Sequence, residues 1–166
     1  NQRRLTELEG AILTEIAMRG NDTAYKVRRA FQDSPSVQWR GSAGAVSPAI
    51  RRLAKADLIA AAPHPTRRGL RLSLTASGNA ALNAWASDVE LASGVGLDPF
   101  RLRSGVWERL PAPQRLRLYA NILEKLDEEI ASLSRIEPDP IHSIQRELAI
   151  ELLNGRSRWL RRRIAS

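Results

Sequence analysis

A chain of 166 residues, 43% hydrophobic and 27% charged, carries enough apolar material for one large domain or for a small domain with an arm. No run approaches the roughly 18 consecutive apolar residues of a membrane span, and Asn1-Gln2-Arg3-Arg4-Leu5 lacks the apolar stretch that turns a basic start into a signal peptide. The absence of cysteine excludes disulfides, thiolate chemistry and Cys-based zinc sites, and fits a cytoplasmic setting.

The net charge of +8 is unevenly spread. Residues 1–78 hold 13 basic and 6 acidic side chains, whereas residues 79–166 hold 13 and 12. A basic half joined to a near-neutral half suggests a polyanion-binding module attached to something else.

In chain order, Thr6-Glu7-Leu8-Glu9 has capping-box spacing, and Leu5, Leu8, Ile12, Ile16 and Ala17 recur at helical intervals behind it. Gly20-Asn21-Asp22 stops that helix, and Asp22 or Thr23 caps a second with Tyr25, Val27, Ala30 and Phe31 as its apolar residues. Ser34-Pro35-Ser36 ends it, and a polar loop through Trp39, Arg40 and Gly41 is expected. Ser42 then caps a third helix from Ala43 to about Asp57, with Pro48 awkwardly inside. Leu58–Ala62 reads as a short strand, Pro63-His64-Pro65-Thr66-Arg67-Arg68-Gly69 as a turn, and Leu70–Thr75, with its strict alternation, as a half-buried strand.

Thr75 opens a fourth helix expected to run to about Ala92. Residues 97–110 are ambiguous. Pro111 and Pro113 start a long helix to about Arg135 with the stripe Leu116, Tyr119, Leu123, Leu126, Ile130 and Leu133. Asp139 at N-cap and Pro140 at the first position begin a last helix to about Arg163, with Ile141, Ile144, Leu148, Leu152 and Trp159 along one side. Two such helices cannot hide both stripes without further partners, which points to a homodimer.

At about 100° per residue, Val46, Ala49, Ile50 and Leu53 share one side of the third helix, while Gly44, Ser47, Arg51 and Lys55 share the other, with Arg52 at the flank. A recognition helix needs this division: one stripe anchors it, and small and basic side chains meet the major groove. The same arginines would also suit a plain solvated face. Three helices followed by a hairpin with Arg67 and Arg68 at its tip is, however, the order of a winged helix-turn-helix, whose wing meets phosphates or the minor groove.

Leu5-Thr6-Glu7-Leu8-Glu9-Gly10-Ala11-Ile12-Leu13, Tyr25-Lys26-Val27 and Phe31 resemble the opening of the PadR family of bacterial transcription regulators. Ser42–Leu53 is similar to that family's recognition helix, internal proline included, and Asp57-Leu58-Ile59 with Leu72–Gly78 resembles its wing junctions. Asp98–Arg103 and the helix ending Arg158-Trp159-Leu160 are similar, more loosely, to its longer members. The resemblance implies a homodimeric repressor that, in some members, leaves DNA when a small aromatic molecule binds. Where that family usually places a tyrosine before the helix proline, this chain has Ser47.

Other constellations are plainer. Trp39 is the candidate effector-binding residue because it is expected in a polar loop, and Trp159 is expected to seal helix packing. His64, between prolines, is expected to be solvated, and His142 has no carboxylate at metal spacing. Glu124, Asp127, Glu128 and Glu129 read as a solvated face. No nucleophile elbow, Gly-rich phosphate loop or hydrolase motif is present, so neither enzyme activity nor a cofactor or metal is expected.

The sequence thus predicts a mainly α fold with a small β wing: a winged helix-turn-helix over residues 1–92 and a helical dimerisation arm over 93–166. The expected partners are double-stranded DNA with a palindromic operator, a second copy of the chain, and a small aromatic effector. Candidate DNA contacts are Tyr25, Ser42, Gly44, Ser47, Arg51, Arg52, Lys55, Arg67 and Arg68; candidate dimer contacts are Ile141, Ile144, Leu148, Leu152 and Trp159. The alternative is a winged-helix protein-interaction module, which would gain if the outer face of the third helix proved buried.

Overall fold

The computed structural model describes residues 3–66, 68–94, 96, 98–135 and 140–166, with the backbone alone at Glu90, Pro140 and His142. The chain divides into two compact units, Asn1–Gly94 and Val95–Ser166.

The first unit begins with α1 (Glu7–Met18), where the capping box is complete: the Thr6 hydroxyl accepts from the Glu9 N–H and the Glu9 carboxylate from the Thr6 N–H. Thr23 caps α2 (Ala24–Gln32) through its hydroxyl, which accepts from the Lys26 N–H. The expected loop through Trp39 is instead a helix, α3 (Val37–Ser42), capped by Ser36. It has no buried residue and so no apolar stripe to betray it. Ser42 is therefore not the cap of the next helix: its hydroxyl donates to the Gln38 carbonyl, 2.8 Å away inside α3. A single 3-10 turn, Ala43–Ala45, joins α3 to α4 (Val46–Lys55). This later start puts Pro48 in the first turn of α4, where an N–H has no partner within the helix and its absence costs little.

Val46, Ala49, Ile50 and Leu53 of α4 are buried, as are Ile12, Leu13, Val27 and Phe31, and together they form one core. Burial of such side chains contributes about 1.5–3 kcal/mol each relative to exposure. The C-terminus of α4 is closed by two bonds, Leu58 N–H to Leu53 O and Asp57 N–H to Ala54 O, each 3.0 Å. Asp57 consequently sits at φ 56°, where glycine would be the unstrained choice.

The wing is an antiparallel hairpin of β1 (Ile59–Pro63) and β2 (Leu70–Leu74), in register Ile59↔Leu74 through Pro63↔Leu70. Thr75 caps α5 (Ala76–Ala86). The expected long fourth helix is broken at Ser87, because Asp88 caps a separate α6 (Val89–Ser93).

In the second unit Asp98 caps α7 (Pro99–Trp107), resolving the ambiguous stretch, and α8 (Ala112–Ser134) and α9 (Pro140–Ala165) follow. The expected Asp139 cap lies outside the described residues. The core here is aromatic: Phe100, Trp107, Tyr119 and Trp159 meet edge to face at centroid distances of 5.0–6.1 Å. Trp159 belongs to this packing. Glu108 accepts from the Tyr119 hydroxyl at 3.1 Å and pairs with Arg163, whose guanidinium is the first cause of its lowered pKa. The acidic run of α8 is solvated and locally paired, Lys125 reaching Glu128 at 2.8 Å.

No helix of the described residues is long and apolar enough to cross a membrane.

Candidate nucleic-acid interface

The candidate recognition helix is α4. Its inner stripe is buried completely at Val46, Ala49 and Leu53, while Arg51 and Lys55 on the outer side are exposed. The outer face is therefore not covered by other described parts of its own unit, and the burial that would have favoured a protein-interaction module does not occur. Gly44 is exposed in the 3-10 turn, and among the described residues nothing beyond its own turn comes within 4 Å of where a Cβ would stand. Ser42 and Ser47 are half-buried. Tyr25, 71% exposed in the first turn of α2, points away from the core rather than into it. On the wing, Arg68 is exposed and Arg67 lies outside the described residues.

Arg52 has a second allegiance. Glu9, only 1% exposed, is a buried carboxylate that must be paired. Its Oε1 lies 2.6 Å from Arg3 Nη2 and 3.5 Å from Arg52 Nε, and its Oε2 accepts from the Thr6 N–H at 3.1 Å. Arg52 thus ties α4 to α1 while its side chain remains half exposed. Burial alone would raise the Glu9 pKa. The Thr6 N–H, Arg3 and Arg52 outweigh it and hold the group below its ordinary value of 4.5. A carboxyl with a depressed folded pKa stabilises the fold above its unfolded pKa, and that contribution is lost as pH falls through the folded one. Unfolding measured against pH should therefore show the wild type losing stability below pH 4.5 faster than Glu9→Gln, whose curve lacks this group. Parallel curves would remove the charge from the account.

Trp39 is not in a polar loop. Its ring meets Phe31 edge to face at 5.3 Å and packs against the core of the first unit. Trp85, half-buried and packed against the same core, forms part of the wall of a cleft of about 260 Å³ with Leu5, Ala81 and Leu91. Arg4 and Asp88, 2.9 Å apart, pair at the same cleft. A buried histidine also escaped the sequence reading. His64, expected to be solvated, has a side chain only 8% exposed and faces Asp22. Its partner is 42 positions earlier in the chain, a pairing that no local pattern signals.

In the second unit Ile144, Leu148 and Leu152 are 63%, 65% and 53% exposed, four residues apart on one side of α9. Ile141 is half-buried, and Trp159 is engaged with Phe100 and Tyr119.

A helix with one buried and one basic exposed side, followed by a basic hairpin, defines a winged helix-turn-helix protein. The particular variant is the PadR fold. Over 98% of this chain and 98% of the other, the structure is similar to Bacillus subtilis PadR in complex with operator DNA, with a TM-score of 0.74 and 19% identity. It is similar to the same protein in complex with p-coumaric acid over 95% and 93%, TM-score 0.71 and 20% identity. A PadR-like transcriptional regulator from Bacillus cereus matches over 99% and 98%, TM-score 0.69 and 15% identity. No family model and no curated protein sequence matches the chain.

Proposed function

We propose that this chain is a sequence-specific DNA-binding transcriptional regulator: a bacterial, cytoplasmic homodimeric repressor that binds an inverted-repeat operator and performs no catalysis. The observation that carries the reading is α4, with Val46, Ala49 and Leu53 fully buried and Arg51 and Lys55 exposed on the opposite side. The operator complex of the B. subtilis neighbour supports it. In this reading Arg51 and Lys55 reach base edges or phosphates, Gly44 and Ser47 allow close approach of the backbone, and Arg68 meets the DNA backbone. Tyr25 and Ser42 flank that surface, and Arg52 divides its charge between DNA and Glu9.

Dimerisation runs through α9, where Ile144, Leu148 and Leu152 form an apolar row too exposed for a protein that stays single. A small aromatic effector is supported by the p-coumaric acid complex of the neighbour. The cleft beside Trp85 offers such a molecule an apolar wall next to the Arg4–Asp88 pair, and Trp39 offers the half-buried indole that packs on Phe31.

The deciding experiment is selection of genomic fragments by the purified protein, followed by fluorescence anisotropy on the selected duplex. Arg51→Ala should weaken binding to that duplex by about 1–3 kcal/mol and relax preference at one position of each half-site. Unchanged affinity in Arg51→Ala with Lys55→Ala would remove α4 from the interface.

A further inference from the structure

The turn between α1 and α2 does more than join two helices. Gly20, at φ +67°, turns the chain out of α1, and its carbonyl accepts from the Asp22 N–H at 2.9 Å. The Asp22 carbonyl in turn accepts from the Leu72 N–H of β2 at 2.7 Å. The Asp22 carboxylate is met from three places. Its Oδ1 accepts from Lys26 Nζ of α2 at 2.7 Å, and its Oδ2 lies 3.5 Å from Arg71 Nε of β2 and 4.0 Å from His64 Nε2 at the hairpin tip. The hydrogen bond from Lys26 is the foremost reason the carboxyl is held below its ordinary range.

His64 is fastened on its other sides too. Its N–H donates to the Gly69 carbonyl at 3.0 Å, closing the turn, and its Nδ1 lies 3.2 Å from the Thr66 N–H, which donates to it. A carboxylate beside a basic hairpin weakens attraction for a polyanion, so its presence there calls for a compensating role.

We propose that Asp22 is a positioning residue of the wing: its carboxylate, joined to Lys26 and Arg71 and packed beside His64, fixes where the hairpin presents Arg68 to the DNA backbone. The consequence for DNA rests on the function proposed above, whereas the hold on the hairpin is a property of the chain alone. Two measurements on the full chain separate them. The first is amide hydrogen exchange of the free protein, comparing wild type with Asp22→Asn and with His64→Ala plus Arg71→Ala. Both variants should exchange the Leu72 and His64 amides faster, on the order of tenfold, while the amides of α4 keep their wild-type protection and so report an intact fold.

The second is the salt dependence of binding to a short mixed-sequence duplex, which needs no operator. Asp22→Asn should bind more weakly at low salt, with a slope lower by about 0.9 for each phosphate that the displaced wing no longer neutralises, although it removes a negative charge. A carboxylate acting only as a charge gives the opposite sign, tighter binding with an unchanged slope, and that result overturns the proposal. Unchanged exchange at Leu72 and His64 overturns it independently of any DNA. If wild type binds no duplex at all, the DNA-binding function fails, and the exchange comparison still decides whether Asp22 holds the wing.

Discussion

Replacing Leu148 and Leu152 together by glutamate should halve the mass seen by light scattering while leaving the helical circular dichroism of the chain intact. In the single chain both side chains are already more than half exposed, at 65% and 53%, so charges there cost the folded monomer almost nothing. Against a second copy the same positions become part of a buried apolar row with Ile144, and four unpaired carboxylates would have to be desolvated in the pair. Each such burial costs at least about 1–3 kcal/mol, so the combined penalty lowers association by several orders of magnitude. Operator affinity should collapse with it, because two linked recognition helices gain from each other's presence. A wild-type monomer at micromolar concentration that still binds its operator tightly would refute both the dimer and the palindrome.

Gly78→Ala should markedly destabilise the first unit. A Cβ at Gly78 would stand 2.0 Å from the Leu58 carbonyl oxygen and 3.0 Å from its carbon, both backbone atoms that cannot swing aside. The surroundings hold them in place. The Gly78 N–H donates to the Thr75 hydroxyl at 2.9 Å, that hydroxyl donates to the Asp57 carbonyl at 2.7 Å, and the Thr75 N–H donates to the Leu58 carbonyl at 3.2 Å. A methyl group must push α5 away from the junction of α4 and β1, at a cost of about 1–3 kcal/mol or more. For a unit of this size that is a fall of the melting temperature on the order of 10 °C, which calorimetry resolves. Gly44→Ala is the control: among the described residues nothing beyond its own turn lies within 4 Å of its Cβ position, and its melting temperature should not fall. A Gly78→Ala protein as stable as wild type would mean that the junction yields.

What the sequence made legible was local chemistry. Thr6 with Glu9, Thr23 and Thr75 each announce a helix start through a hydroxyl followed by a free N–H, and each does so in the structure. The alternation of Leu70, Leu72 and Leu74 marks a strand, although of the three only Leu72 is buried. Helix α3 stayed hidden because six residues with no buried side chain have no period to detect. The break at Ser87 stayed hidden because Asp88 looks like any polar residue on a helix until its carboxylate is seen accepting from the Leu91 N–H. At the interface, the two sides of α4 could be read from spacing. The ties of Arg52 to Glu9 and of His64 to Asp22 could not, since each joins residues far apart in the chain and depends on packing alone.

The hairpin bears on how these molecules behave when crowded together. A two-stranded ribbon has two open sides, and unpaired strand edges invite other ribbons to add on. In this ribbon the side beyond β2 is interrupted where the Leu72 N–H is taken by the Asp22 carbonyl. The strand on the other side, β1, is five residues long, carries three successive alanines that offer a neighbour little to grip, and ends in Pro63, which has no N–H to donate. Copies brought close together therefore meet at their wings without a template for sheet growth. A hairpin built this way is guarded against growth by strand addition wherever the local concentration of the chain is greatest.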